Sequence, residues 1–341
     1  MRNSAILLVQ CPDRKGLDAT IAEFIYRYDG NILHFEQHQA GAERYYLARV
    51  EWDLNEFRLD LKDFAAAFGP IADKFGMNWR IALGSYRPRV AIFVSRFDHC
   101  LVDLLYRQRN GELACDFPLM ISNHPDAKRH ADFYAIPFHV IPVTKESKPD
   151  AEKREQELLE GLKIDLIVLA RYMQVLSPGF IAKYPERIIN IHHSFLPAFI
   201  GAKPHHQAYE RGVKLIGATA HYVTEVLDDG PIIEQGVARI SHRDGLEDLV
   251  EKGRDLEKVV LSRAVRWHIE NRILLYNNKT VIFESKGFVL SRRDRSIQTT
   301  NRRAILVCGL PSSLGQSTPW RMRIHTGSAS KRVCWDSIFV E

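Results

Sequence analysis

Asp165-Leu166-Ile167-Val168-Leu169-Ala170 is the stretch that decides the fold. After one acid, every residue in it is apolar, so no polar side is left to face water. A strand of this kind has to be covered on both faces, the pattern of a parallel sheet enclosed by helices. The charge-rich run Asp150–Lys163 just before it reads as a helix with a solvated face. Similar apolar runs at Val90–Val94, Leu119–Ser122, Phe138–Val143 and Ile188–Ile191, with helix spacing over Leu101–Gln108, repeat the alternation. The reading is a Rossmann-like α/β fold with a mostly parallel sheet. Ile216–Val223 and Pro231–Ile240 add strands and Leu246–Ile269 a long helix. Arg272–Tyr276 and Thr280–Phe283 read as a hairpin around Asn277-Asn278.

Upstream the rhythm differs. Ser4–Gln10 reads as a strand and Cys11-Pro12-Asp13-Arg14-Lys15-Gly16 as a turn-rich loop. Leu17–Tyr28 carries apolar residues at helix spacing. Asn31–Gln39 and Arg44–Trp52 follow as strands, Leu59–Phe75 as a helix and Asn78–Leu83 as a strand. The order βαββαβ predicts a small ferredoxin-like domain over residues 1–84. Gly84-Ser85-Tyr86-Arg87-Pro88 separates it from a second domain over 88–284. Residues 285–341 show no sustained period and read as a disordered or appended basic extension.

The net charge of +5 does not point to nucleic acid, because residues 285–341 hold ten basic against three acidic side chains. That leaves 37 basic and 39 acidic in residues 1–284. Five cysteines without CxxC spacing read as reduced thiols, and no apolar run reaches the length of a leader or a membrane span. A cytoplasmic protein is expected, with no membrane partner.

In open α/β sheets, ligands collect beyond the carboxyl ends of the strands. Asn190-Ile191-His192-His193-Ser194-Phe195-Leu196-Pro197 lies there, as does His221-Tyr222-Val223 with Leu227-Asp228-Asp229-Gly230-Pro231. An amide, an imidazole and a carboxylate from these segments suit attack on a carbonyl carbon. Asn190 and His192 supply donors for the oxyanion, and Asp228 accepts a proton or holds the imidazole charged. His193-Ser194 is not a nucleophile elbow. His192, His193, His205, His206 and His221 crowd together, yet no metal-ligand spacing such as HExxH accompanies them, so no metal is expected. His193 reads as a loop residue, Asp229 as a solvated turn residue and Cys100 as a small buried one.

Asn190-Ile191-His192 with Leu196-Pro197, then Gly217-Ala218-Thr219-Ala220-His221, then Leu227-Asp228-Asp229-Gly230-Pro231-Ile232-Ile233, resembles the signature of folate-dependent formyltransferases. The resemblance implies Asn190, His192 and Asp228 as the catalytic residues. It implies Leu169, Arg171, Tyr172 and Met173 as a folate-pocket segment, with Thr219 and His221 lining the site. After the first strand of this fold the glycinamide ribonucleotide branch carries a glycine-rich phosphate loop. Here Ser95-Arg96-Phe97-Asp98-His99-Cys100-Leu101 has no glycine, a poor cradle for a phosphorylated acceptor. That loop and the βαββαβ unit resemble the formyltetrahydrofolate deformylases, whose N-terminal unit is an ACT domain. The implied activity is hydrolysis of a linear amide, 10-formyltetrahydrofolate, to formate and tetrahydrofolate. It would supply formate for purine biosynthesis and balance one-carbon pools, with no cofactor. An amino-acid effector near Asp13 and Gly16 and a homo-oligomer are implied as well. The alternatives are a formyltransferase to an amine acceptor and a folate- or amino-acid-binding regulatory protein.

Overall fold

The computed structural model describes residues 3–41, 44–198 and 204–283, with Met1–Gly287 forming one compact unit. The expectation for 285–341 therefore lies outside the described residues. The first sheet is built from β1 (Ser4–Pro12), β2 (Asn31–Ala40), β3 (Tyr45–Asp53) and β4 (Asn78–Leu83), with α1 (Leu17–Arg27) and α2 (Phe64–Phe75) between them. The strands pair antiparallel in the order β2-β3-β1-β4, a ferredoxin-like arrangement.

One element is shorter than its periodicity suggests. The helix expected over Leu59–Phe75 begins only at Phe64, because the Asp60 carboxylate accepts the Lys62 N–H and the Asp60 carbonyl accepts the Asp63 N–H. Such local bonds hold the chain in a turn rather than a helix.

The second sheet has seven strands in the order β11-β10-β9-β8-β5-β6-β7. They are β5 (Arg89–Val94), β6 (Asp116–Ser122), β7 (Phe138–Val140), β8 (Leu166–Ala170), β9 (Ile188–His192), β10 (Leu215–Tyr222) and β11 (Ile232–Arg239). Strands β5 to β9 run parallel, whereas β10 is antiparallel to both β9 and β11. Helices α3 (His99–Arg109), α4 (Lys128–Phe133), α5 (Lys148–Gly161), α6 (Pro178–Ile181), α7 (Pro204–Glu210) and α8 (Leu246–Ile269) connect and cover them. The short α4, α6 and α7 carry too few turns to show a period in sequence. All of β8 is buried, with alternate residues in two separate cores, as its unbroken apolar run requires. Among the described residues, no helix is long and apolar enough to cross a membrane.

The hairpin β12 (Ile273–Tyr276) and β13 (Lys279–Ile282) ties the sheets together. On β1, Ala5, Leu7 and Val9 face the core with α1 and α2, while Ile6 and Leu8 pack with Leu274 and Phe283. This explains why β1 reads as continuously apolar within an antiparallel sheet. Beside that contact, Arg49 of β3 is 2% exposed and caps the end of α8 through the Glu270 and Asn271 carbonyls, while also pairing with Glu51 at 3.0 Å. A cation at a helix carboxyl end is favourable, and both members of the pair are buried. Removing one member of a buried pair leaves the other charge uncompensated. Arg49→Met is therefore expected to lower unfolding free energy by about 3–5 kcal/mol, read by chemical denaturation. A loss below about 1 kcal/mol would show that the pair does not hold the sheets together.

Candidate active site

Two strands and one loop assemble the polar group. Asn190 and His192 end β9 on the same face, and β10 lies beside it with His221 opposite Asn190. The third contributor is the 223–231 connection, which returns so tightly that the Tyr222 N–H donates to the Pro231 carbonyl. A Cβ on Gly230 would lie 1.7 Å from the Tyr222 carbonyl oxygen, so this approach demands glycine. Asp228 takes φ 56°, the left-handed region that Asp and Asn enter more readily than most side chains.

The Asp228 carboxylate thereby reaches between two imidazoles. Its Oδ2 lies 3.3 Å from His192 Nδ1 and its Oδ1 3.7 Å from His221 Nε2. All three side chains are buried. Burial pushes the Asp228 carboxyl up, but hydrogen bonds and charge from His192 and His221 outweigh it and hold the group well below the usual carboxylate range. His221 Nδ1 is 2.9 Å from the Tyr222 carbonyl oxygen, which only accepts, so that nitrogen carries a proton. Its Nε2 lies 3.3 Å from Asn190 Nδ2 and 3.7 Å from Asp228 Oδ1, so it accepts from the amide when the ring is neutral and turns its proton to the carboxylate when the ring is charged. His192 is placed differently. With Asp228 at its Nδ1, its Nε2 is buried and has no hydrogen-bond partner. Buried polar atoms without partners are rare, and one beside an acid and an amide marks a place for a reacting group.

These residues open on a cavity of about 530 Å³, within the range of small-molecule sites. Leu169 at the end of β8 and Arg171, Tyr172 and Met173 just after it line this cavity. Val223 and Leu227, from the segments read as ligand-side, belong to its apolar wall, whereas Val175, Leu176, Ile181 and Val226 were not singled out in the sequence, because apolar residues at strand and loop ends look like ordinary core. The Tyr172 hydroxyl turns away to donate to buried Glu155 at 2.9 Å, which leaves its ring and backbone for a ligand. Burial pushes the Glu155 carboxyl up to about 7.

Thr219 needs correcting as a site-lining residue. It is fully buried and outside the cavity lining, and its hydroxyl donates to the Ser194 carbonyl and accepts from the Leu196 N–H. Thr219 fixes the Ser194–Leu196 turn that follows β9, so it shapes the site without facing it.

Glu257 of α8 is a charged residue that the sequence reading did not mark. It is buried, bonded to His99 Nε2 at 2.8 Å and 3.4 Å from Arg171 Nε, and Arg171 in turn lies over the Phe97 ring. Only an i, i+3 register on α8 could have flagged it, and that register is shared by many solvated glutamates. Asp98 bonds instead to Arg129 and His130, away from Glu257. Of the two regulatory candidates, Gly16 has φ 90° at the start of α1, and the Asp13 N–H donates to the Arg44 carbonyl. Neither lines this cavity.

Residues 88–265 match the formyl transferase family. The chain is 54% identical over 280 residues to the formyltetrahydrofolate deformylase of Synechocystis sp., covering 82% of this chain and 98% of that protein. The chain belongs to the formyltetrahydrofolate deformylase family. The Bacillus subtilis formyltetrahydrofolate deformylase is 48% identical, with 81% of this chain and 93% of that one covered. A crystal structure of a formyltetrahydrofolate deformylase from Pseudomonas syringae pv. tomato superposes with a TM-score of 0.81 at 45% identity. It covers 83% of this chain and 95% of that one. Residues 85–341 are fewer than the 280 aligned with the Synechocystis deformylase, so the likeness to deformylases extends into the N-terminal sheet.

Proposed function

We propose that this chain hydrolyses 10-formyltetrahydrofolate to formate and tetrahydrofolate in the cytoplasm, with Asn190, His192 and Asp228 as its catalytic residues. The observation that carries the reading is the buried Asp228–His192 pair, with His192 Nε2 unpartnered, on the wall of a largely apolar cavity that Asn190 also lines. The apolar wall suits a flat aromatic body, and the polar end suits one small reacting carbonyl.

A water oxygen bonds to the formyl carbon, and the carbonyl oxygen becomes an oxyanion. The coupled Asp228–His192 pair takes the proton that water sheds. As an imidazolium, His192 then faces the oxyanion through Nε2–H while Asn190 Nδ2 offers its second hydrogen. The C–N bond breaks, the imidazolium proton goes to the leaving nitrogen, and formic acid departs, losing its remaining proton to solvent as formate. The step so written needs neither metal nor cofactor.

Purified protein given 10-formyltetrahydrofolate with no added amine is expected to release formate and tetrahydrofolate in equal amounts, measured by absorbance and a coupled formate assay. Formate or a formylated product appearing only when an amine acceptor is added would replace hydrolysis by transfer.

A further inference from the structure

In the seven-stranded sheet the chain reverses its direction of travel between β5 and β8, running through β6 and β7 on one side and through β9 to β11 on the other. The crevice at such a reversal, beyond the carboxyl ends of the strands, is where an open α/β sheet receives a ligand. Here the protein's own side chains occupy it. The buried Ser95 hydroxyl, after β5, accepts the Met173 N–H from the loop after β8 at 2.9 Å and donates to Asn123 Oδ1, after β6, at 2.7 Å. Close by, the Phe97 ring is held against two guanidiniums, Arg171 at 5.4 Å and Arg254 of α8 at 5.9 Å. Glu257, three residues further along α8, pairs with Arg171 and with His99.

Arg171 sits in this group at a double cost. Its φ of 64° belongs to the left-handed region that glycine enters freely and an arginine does not. Its side chain is only 10% exposed, and its Nε is buried without a hydrogen bond although Glu257 lies 3.4 Å away. Such a backbone and such a buried donor persist where the surrounding structure imposes them, and they point to a side chain with a task. The task is not capture of an anion, because Glu257 already answers the positive charge.

We infer that Arg171, braced by Phe97 and Glu257, fills the place an amine acceptor would take and so decides that water receives the formyl group. The inference rests on the hydrolase reading above. Arg171 lines the same cavity as Asn190, His192 and Asp228. With a flat substrate body against the apolar wall, the space left beside Arg171 admits water and excludes a primary amine with its substituent. An amine that did enter would bond through nitrogen to the formyl carbon and break the same C–N bond. One of its N–H protons would pass through the Asp228–His192 pair to the leaving nitrogen, giving a formamide and tetrahydrofolate. The same base serves either nucleophile, so the catalytic residues cannot tell them apart. Discrimination has to come from a group that obstructs one of them.

The test gives the full-length protein 10-formyltetrahydrofolate together with glycinamide, a small primary amine, at high millimolar concentration. Formylated glycinamide, measured by mass spectrometry, is compared with formate. The native protein is expected to yield formate almost alone. Arg171→Gly, whose backbone already has a φ that suits glycine, is expected to raise the ratio of formylated amine to formate by about tenfold or more. Phe97→Ala should raise the ratio as well. Its ring is exposed and outside the cavity lining, so this variant still reports if Arg171→Gly is destabilised by leaving Glu257 buried without its cation. Arg171→Met keeps the bulk without the charge and should stay near the native ratio. An unchanged ratio in both Arg171→Gly and Phe97→Ala would overturn the inference. So would a raised KM for 10-formyltetrahydrofolate in Arg171→Gly with no formylated amine, which would make Arg171 a substrate anchor. Transfer by Arg171→Met as extensive as by Arg171→Gly would overturn exclusion by bulk. Absence of formate release by the native protein under every condition would instead count against the hydrolase reading, and the gain of amine formylation in Arg171→Gly would still report on the obstruction.

Discussion

Asp228→Asn is expected to reduce kcat for formate release by about 10³–10⁴-fold with substrate affinity nearly intact. Asn keeps the size of the side chain and tolerates the φ of 56° at this position, so the loop need not move. What it loses is the negative charge that lies 3.3 Å from His192 Nδ1 and 3.7 Å from His221 Nε2. Without that charge the pair neither takes the proton from water nor stabilises an imidazolium facing the oxyanion. A loss below about tenfold would move the base elsewhere, and the scheme would have to be rebuilt.

The same substitution has a signature in stability. The Asp228 carboxyl is held below its unfolded value, so its contribution is fully present above the unfolded pKa, near about 4, and disappears as pH falls toward the folded value. The stability gap between the native protein and Asp228→Asn should therefore narrow on acidification below about pH 4, measured by denaturant unfolding at several pH values. A gap that widened in acid would contradict the assigned charge state.

Much of this was legible in the chain, for a physical reason. β8 could be read because full burial forces an unbroken apolar run, and α8 because its long amphipathic repeat leaves nothing else to fit. Asn190, His192 and Asp228 could be read because polar residues at strand ends have a geometric meaning in an α/β sheet. The Leu-Asp-Asp-Gly-Pro turn is explained by contact: Gly230 is where the backbone touches Tyr222, and that closure aims Asp228 inward. What escaped reading depends on partners far apart in the chain. Thr219 looks like a site residue in sequence, and only its bonds to Ser194 and Leu196, more than twenty residues away, reveal a fixing role. Glu257 lies 158 residues from His99 and looks like any helix glutamate until the two meet. A cavity of about 370 Å³ lined by Gln10 and Arg80 of the N-terminal sheet and by Tyr222 and His268 depends on how two separately legible sheets dock, which no local pattern encodes.

Asn190→Ala should lower kcat by about 10²–10³-fold and leave KM close to its native value, because an oxyanion donor acts where charge develops and hardly touches the ground state. The amide has a second employment that could imitate this loss, since one Nδ2 hydrogen meets His221 Nε2 at 3.3 Å. If Asn190 served only to hold His221, the ring would be the acting group and Asn190 a positioning residue. The double variant Asn190→Ala with His221→Phe separates the cases. Should Asn190 act only through His221, adding its loss to His221→Phe would change nothing further. A direct donor loses rate in either background, so the double variant should fall at least about tenfold below His221→Phe alone. The direct role is the one the geometry favours. The amide carries two hydrogens and His221 engages one, so the other remains for an oxyanion in the cavity that Asn190 and His192 both line.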